Sequence, residues 1–429
     1  MKKPFKKLEA GDKVELIVNR KPQRGILLDS YDPSVILLKL ENGYNIGFKK
    51  SDVSEIKLIE KRVVKQKDVD FKNSGQKPII DLFITGGTIS GKLDPTTGGV
   101  KGLIDPKELF LLFPEIFEIA DIRVHSPFLK LSENMMPADW MKLAKLVGKS
   151  LKNPEVKGVI ITHGTDTLHF TGSALSFMLG KLNKPVVLTY SQRSSDRGSS
   201  DSRLNLICSA HAALSDIAEV MLVGHATIHD DFCYALQGNK VRKMHSSRRD
   251  AFKAVNSTPF AKVFPNGKIE LLRNDFNKRN KNKVVIDAVF DEKVSLLKIH
   301  PGIIPAAIDY YRKNCKGLVI EGTGFGHVAC EGKYNLVPSL KIAITSGLLV
   351  YMTTQTIFGR VDPFVYTTGR KLQDIGVVFL NDMLPETALV KLGWVLGHKE
   401  WRGTVATKLK MLENVNGEMN ERLGVEFNS

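Results

Sequence analysis

At 429 residues, 42% of them hydrophobic and 25% charged, the chain has the make-up of a globular protein of more than one domain, which excludes a disordered, collagen-like or small disulfide-stapled molecule. Lysine and arginine number 62 against 46 acidic residues, a formal charge of +16. Such a field favours polyanions, nucleic acid first among them, or else serves solubility alone.

The four cysteines, Cys208, Cys233, Cys315 and Cys330, are widely spaced and form no C-x-x-C pair, which speaks against a disulfide framework or a zinc site. The amino end, MKKPFKKLEAGDK, is basic but carries no apolar stretch, and no run approaches the length of a membrane span. The expectation is a soluble, cytoplasmic protein with no membrane contact and no metal.

Four short β-prone runs open the chain, at 14–18, 25–28, 35–40 and 44–48, parted by turn-rich pieces such as Asp32-Pro33-Ser34 and Glu41-Asn42-Gly43. This spacing predicts a small β-barrel domain over 1–60, punctuated by Lys6, Lys7, Arg20, Lys21, Arg24, Lys49 and Lys50. Residues 61–78, polar and lysine-rich, read as a linker.

From residue 79 the pattern changes to strand, loop, helix. An apolar run at 79–84 ends in Thr85-Gly86-Gly87-Thr88, and another at 158–161 ends in Thr162-His163-Gly164-Thr165-Asp166-Thr167. A helix at 171–179, a strand at 185–189, a polar loop at 191–201 and a helix at 204–214 follow. Uninterrupted apolar strands alternating with helices predict a parallel sheet covered on both faces, a first α/β domain over 79–272. The charged stretch 273–283 reads as a connection, and a second α/β domain over 284–429 is expected to contribute strands at 284–290, 317–321 and 341–345.

In open parallel sheets ligands bind beyond the carboxyl ends of the strands, where Thr88 and Thr165 both fall, each preceded by glycine. Gly87 and Gly164 let the backbone approach a ligand closely, and the amides of such turns can stabilise an oxyanion. The plainer alternative for Thr165 and Asp166 is to cap the helix that follows them. Hydrolysing an amide needs a nucleophile, a base and groups that orient the substrate; a lysine held by a carboxylate can be that base, but spacing alone does not single one out. For Lys243 the local sequence suggests only a solvated basic loop.

Two motifs, FITGGTIS at 83–90 and ITHGTDTL at 161–168, resemble the signatures of the asparaginase and glutaminase family, in the right order and each after an apolar strand. Ser132-Glu133-Asn134-Met135 is similar to that family's substrate-binding turn, and Val241-Arg242-Lys243 precedes Phe252 at the family's spacing. The resemblance, over roughly 79–398, implies an amidohydrolase with Thr88 and Thr165 as catalytic threonines and Asp166 and Lys243 completing the second group. It further implies that Ser132 and Glu133 bind the substrate's α-carboxylate and α-ammonium, with Asp166 sharing the ammonium and Gly87 and Gly164 lining the site.

The amino-terminal barrel, the loop Ser191-Gln192-Arg193-Ser194-Ser195-Asp196-Arg197, Gly359-Arg360-Val361 with Tyr366-Thr367-Thr368-Gly369-Arg370, and Asp382-Met383-Leu384-Pro385-Glu386-Thr387-Ala388 resemble the D subunit family of the archaeal glutamyl-tRNA(Gln) amidotransferases. That resemblance implies L-glutamine as ammonia source and no cofactor in this chain. It also implies a partner, the amidotransferase E subunit, which binds Glu-tRNA(Gln) and uses ATP and Mg, and a homodimer within a heterotetramer. One departure stands out. The family's mobile loop carries a tyrosine after the first threonine, whereas here Lys92-Leu93-Asp94-Pro95-Thr96-Thr97-Gly98 has none, so loop closure is expected to depend on the partner. The competing expectations are a free-standing L-asparaginase with an extra domain and a non-catalytic RNA-binding protein on the same scaffold.

Overall fold

A computed structural model of the chain describes residues 8–30, 32–40, 45–61, 73–93, 100–102, 113–195 and 200–423. The first strands, β1 (Lys13–Val18), β2 (Lys21–Leu28), β3 (Val35–Leu40), β4 (Asn45–Lys49) and β5 (Val53–Glu60), form an antiparallel sheet in the order β4-β3-β2-β1-β5. Val14, Leu16, Ile36 and Leu38 alternate along their strands and make its core. The edge strands β4 and β5 are joined by only Lys50–Asp52. Four chain steps reach at most about 15 Å, whereas the edges of a flat five-stranded sheet lie about 19 Å apart. The sheet is therefore rolled. Sequence reading omitted β5 because its apolar residues are interleaved with charge and largely exposed. The turn expected at 41–43 and most of the expected linker, 62–72, lie outside the described residues.

The first α/β unit is built on β6 (Ile79–Ile84), a hairpin of β7 (Gly91–Leu93) and β8 (Val100–Gly102), then β9 (Asp121–His125), β10 (Val156–Thr162), β11 (Val186–Thr189), β12 (Val220–His225) and β13 (Cys233–Gln237). A small ribbon of β14 (Val241–Lys243) and β15 (Phe252–Ala254) precedes β16 (Ala261–Val263) and β17 (Ile269–Leu271). The main sheet runs β17-β16-β13-β12-β11-β10-β6-β9; β9, β6, β10, β11 and β12 are mutually parallel, and β13, β16 and β17 extend it antiparallel. Ile80, Leu82 and Ile84 face one core with helix Ser202–Ala213, while Phe83, Val159 and Ile161 face another with helices Pro137–Lys152 and Leu168–Met178. Burial on both faces accounts for the absence of polar alternation in these strands.

The second α/β unit is a four-stranded parallel sheet of β18 (Val294–Lys298), β19 (Gly317–Gly322), β20 (Leu349–Thr354) and β21 (Val378–Phe379). Its helix Pro385–Gly397 packs against helix Leu168–Met178 of the first unit, and one continuous core includes Phe177, Met178, Val319, Tyr351, Ala388 and Trp394.

Two expected strands are corrected. Residues 284–290 form no strand: Val284 is buried and Phe290 partly buried as the chain crosses between the units, and the Phe290 ring lies where Gly393 leaves room, a Cβ there meeting its Cζ at 2.1 Å. Residues 341–345 belong to helix Val337–Thr345, which has Pro338 in its first turn and buries Leu340 and Ala343 three apart; the strand comes after it, as β20. No described helix is long and apolar enough to cross a membrane.

Candidate active site

The strands that lead to the two threonines end level with one another. Ile84 of β6 sits opposite Thr162 of β10, and Thr162 opposite Thr189 of β11. The turns after them are then drawn together by backbone contact. Gly86 and Gly87 have φ of 116° and 85°, the left-handed side that glycine tolerates. A Cβ on Gly86 would meet the carbonyl oxygen of Lys130 at 2.2 Å, and one on Gly87 would meet the amide nitrogen of Gly164 at 2.4 Å. A Cβ on Gly164 would in turn meet Oγ of Ser132 at 2.7 Å. Three segments far apart in sequence thus touch through positions where no side chain is tolerated.

Within this junction Lys243, on β14, donates from Nζ to Oγ1 of Thr165 at 2.8 Å and to Oδ1 of Asp166 at 2.8 Å. Its side chain is 12% exposed, whereas that of Asp166 is 64% exposed, so the carboxylate keeps an open side. Lys243 is therefore no solvated loop residue. Thr165 is buried and occupied by the lysine; the N-cap position of helix Leu168–Met178 is Thr167, so capping is not the job of Thr165. Ser132 is buried on a short 3-10 turn, Ser132–Asn134, and its Oγ accepts the Asp166 amide at 3.2 Å while its carbonyl accepts the Thr167 hydroxyl at 2.6 Å. Glu133, on the same turn, is exposed. Thr88 opens the 3-10 turn Thr88–Ser90 and is half-buried.

His163 is fully enclosed. Its Nδ1 lies 2.7 Å from the carbonyl of Gly164 and its Nε2 lies 2.9 Å from the Thr171 hydroxyl, which also takes the indole N–H of Trp140 at 3.0 Å. A carbonyl only accepts, so Nδ1 carries the hydrogen and Nε2 receives the hydroxyl proton. Burial holds this imidazole's pKa down to about 4, which makes it a neutral brace for the turn.

The loop after β11 is organised by buried Asp201, whose carboxylate accepts the Ser191 hydroxyl and the amides of Gln192 and Arg193 at 3.0–3.1 Å. Ser195 then donates to the carbonyl of Gly91 at 3.0 Å, which ties this loop to the strand that leaves Thr88. The loop is thus a hydrogen-bonded turn that borders the Thr88 segment. Residues 94–98 of the tyrosine-less loop and 196–199 of the polar loop lie outside the described residues. Among the described residues no group of three or more His, Cys, Asp and Glu side chains is arranged to hold a metal ion.

Sequence reasoning missed the layer behind Lys243. Arg242 bonds Glu386 of the second unit at 3.0 Å, and His169 lies 3.9 Å from the same carboxylate oxygen. The pKa of His169 is lowered to about 3 by burial and then by the charges of Arg242 and Lys243. Burial raises that of Glu386. Glu386 stands inside a motif visible in the sequence, but no local feature showed what it would face.

This fold and this cluster define an asparaginase-type amidohydrolase scaffold. Residues 79–277 match the family model for the asparaginase N-terminal domain, 293–407 that for the glutaminase/asparaginase C-terminal domain, and 8–59 that for the GatD N-terminal domain. Among solved structures, the thermostable L-asparaginase from Thermococcus kodakarensis is 28% identical with a TM-score of 0.71, covering 80% of this chain and 100% of that one. L-asparaginase I from Vibrio cholerae is also 28% identical, with a TM-score of 0.68 and coverage of 80% and 99%.

Over nearly the whole chain the likeness is narrower. The glutamyl-tRNA(Gln) amidotransferase D subunit of Pyrococcus furiosus is 46% identical over 96% of this chain and 93% of its own length, and that of Sulfurisphaera tokodaii 44% identical over 98% and 94%. The chain belongs to this family, the D subunits of glutamyl-tRNA(Gln) amidotransferase.

Proposed function

We propose that this protein releases ammonia from the side-chain amide of L-glutamine and supplies it to a partner, the amidotransferase E subunit, that holds activated Glu-tRNA(Gln), so that the complex forms Gln-tRNA(Gln). The observation that carries the reading is the Lys243 ammonium bridging the Thr165 hydroxyl and the Asp166 carboxylate beside the Gly87–Gly164 contact. A lysine placed this way, once neutral, takes a proton from the hydroxyl it touches. Thr88, from the facing turn, is the nucleophile that forms a glutamyl ester, and the Thr165–Lys243–Asp166 group moves the protons and later activates water. Ser132 orients the α-carboxylate, and Glu133 with the open side of Asp166 receives the α-ammonium. ATP and Mg belong to the partner, and this chain holds no cofactor.

The same reading places the protein in the cytoplasm, as a homodimer within a heterotetramer. Phe364, Val365 and Tyr366, each more than half exposed, with Phe325 whose ring lies 6.3 Å from that of Tyr366, offer an apolar face on the second unit that suits a second copy. The formal charge of +16 suits an assembly that carries tRNA.

A second reading, a free-standing L-asparaginase, is favoured by the likeness to solved L-asparaginases. An ammonia-release assay separates the two. Glutamine hydrolysis that rises with the E subunit and Glu-tRNA(Gln) supports the first; vigorous asparagine hydrolysis by the isolated chain supports the second. Thr88→Ala and Thr165→Ala are each expected to lower release at least about a thousandfold. Either variant working at the parent rate removes that threonine from the mechanism.

A further inference from the structure

The stretch that ends at Lys243 is held at three of its residues by one short segment of the other α/β unit. Thr387 donates its hydroxyl to the carbonyl of Asn239 at 2.9 Å. Asp382 forms an ion pair with Lys240, both of them buried. Glu386 takes the guanidinium of Arg242 at 3.0 Å. The next residue is Lys243 itself, and on a strand its side chain points away from that of Arg242, toward Thr165.

Glu386 is the member suited to tuning. It stands at the second position of helix Pro385–Gly397, where the partial positive charge of the helix end favours a carboxylate. Its side chain is 9% exposed, and its second oxygen, Oε2, has no hydrogen-bond partner. Glu321, 6% exposed, lies 3.9 Å from Arg242 and is paired with Lys298 at 3.1 Å. The charges around the lysine thus comprise Arg242, Lys298 and Lys243 against Glu386, Glu321 and Asp166, with neutral His169 wedged between. Removing the Glu386 charge leaves Arg242, one residue from Lys243, only the more distant Glu321, which Lys298 already engages.

We infer that Glu386, through Arg242, is a positioning residue for Lys243: the segment from Asp382 to Thr387 of the second unit sets the place of the base that serves the threonines of the first. This rests on the role given to Lys243 above.

The test is steady-state glutaminase kinetics of the full chain with the E subunit and Glu-tRNA(Gln), using the near-isosteric Glu386→Gln. The expected result is a fall in kcat of roughly ten- to a hundredfold, the loss that misplacing a group by about an ångström brings. The KM for glutamine should stay within about twofold, because Ser132 and Glu133 are untouched. Arg242→Gln should give the same kcat-only loss, and the double variant should lose no more than either single one, since the two side chains act through each other. Parent kcat in Glu386→Gln, or losses that multiply in the double variant, overturns the inference. Lys243→Ala keeps the two claims apart: if that variant hydrolyses glutamine at the parent rate, the reading of the site falls, whereas an inactive Lys243→Ala beside a fully active Glu386→Gln sinks the positioning role alone.

Discussion

The turn that carries Thr165 and the turn that carries Thr88 meet at one point but are built by different means. Around Thr165 side chains do the holding: Lys243 bonds its hydroxyl, Ser132 takes the next amide, and His163 braces the turn from below. Around Thr88 the backbone does it, through Gly86 against Lys130 and Gly87 against Gly164, with the Ser195 hydroxyl on Gly91 further along. The first turn is fixed by charge and hydrogen bonds, the second by close approach. Substitutions on the two sides should therefore fail in different ways.

The largest effect is expected on the Thr88 side. Gly87→Ala adds a methyl where a backbone nitrogen stands 2.4 Å away, at φ of 85°. Strain and overpacking together should cost about 3 kcal/mol or more. Thermal unfolding should show a lower Tm, and ammonia release should be abolished even in the molecules that remain folded. An unchanged Tm would mean that the two turns are not pressed together.

An intermediate effect is expected from acid on the Thr165 side. His163 has a folded-state pKa of about 4 against 6.5 for the ordinary group, so between those values the unfolded chain binds a proton that the folded one refuses. Stability is fully present above pH 6.5 and is lost as pH falls toward 4, by about 3 kcal/mol over that window. Denaturant titrations across this range should show a shallower acid slope in His163→Gln than in the parent; equal slopes would refute the neutral brace. The smallest effect belongs to Ser132→Ala, which removes one acceptor from the Asp166 amide and should cost about 1 kcal/mol while raising the KM for glutamine. Should kcat fall while KM stays put, Ser132 does not orient the substrate.

The same contrast explains what could be read in advance. Both threonine turns were legible because their chemistry is local: an apolar strand, glycine, then threonine. The position of Lys243 was not, since its bond to Thr165 spans 78 residues and β14 is three residues long; only the family pattern pointed to it. Ser132 and Glu133 were likewise found by motif, and the structure sets the first in the junction and leaves the second exposed beside it. Three strands of the first unit, β6, β10 and β11, were visible because burial on both faces leaves them almost wholly apolar, whereas β9, β12 and the antiparallel strands beyond them went unnamed. The same criterion misled at 284–290, where apolar residues serve a crossing chain, and at 341–345, where a short helix carries two buried residues. Glu386 and Arg242 could not be paired from sequence, because 144 positions separate them and each alone looks like an ordinary surface charge.

The core that runs unbroken from Phe177 to Trp394 also bears on traffic through the molecule. Two units that share one apolar interior cannot gape like a hinged clam without wetting it, which would cost more than a passing amino acid could supply. Entry of glutamine and exit of glutamate therefore fall to the rim segments, and turnover should respond to changes there rather than to solvent viscosity acting on whole-domain swing.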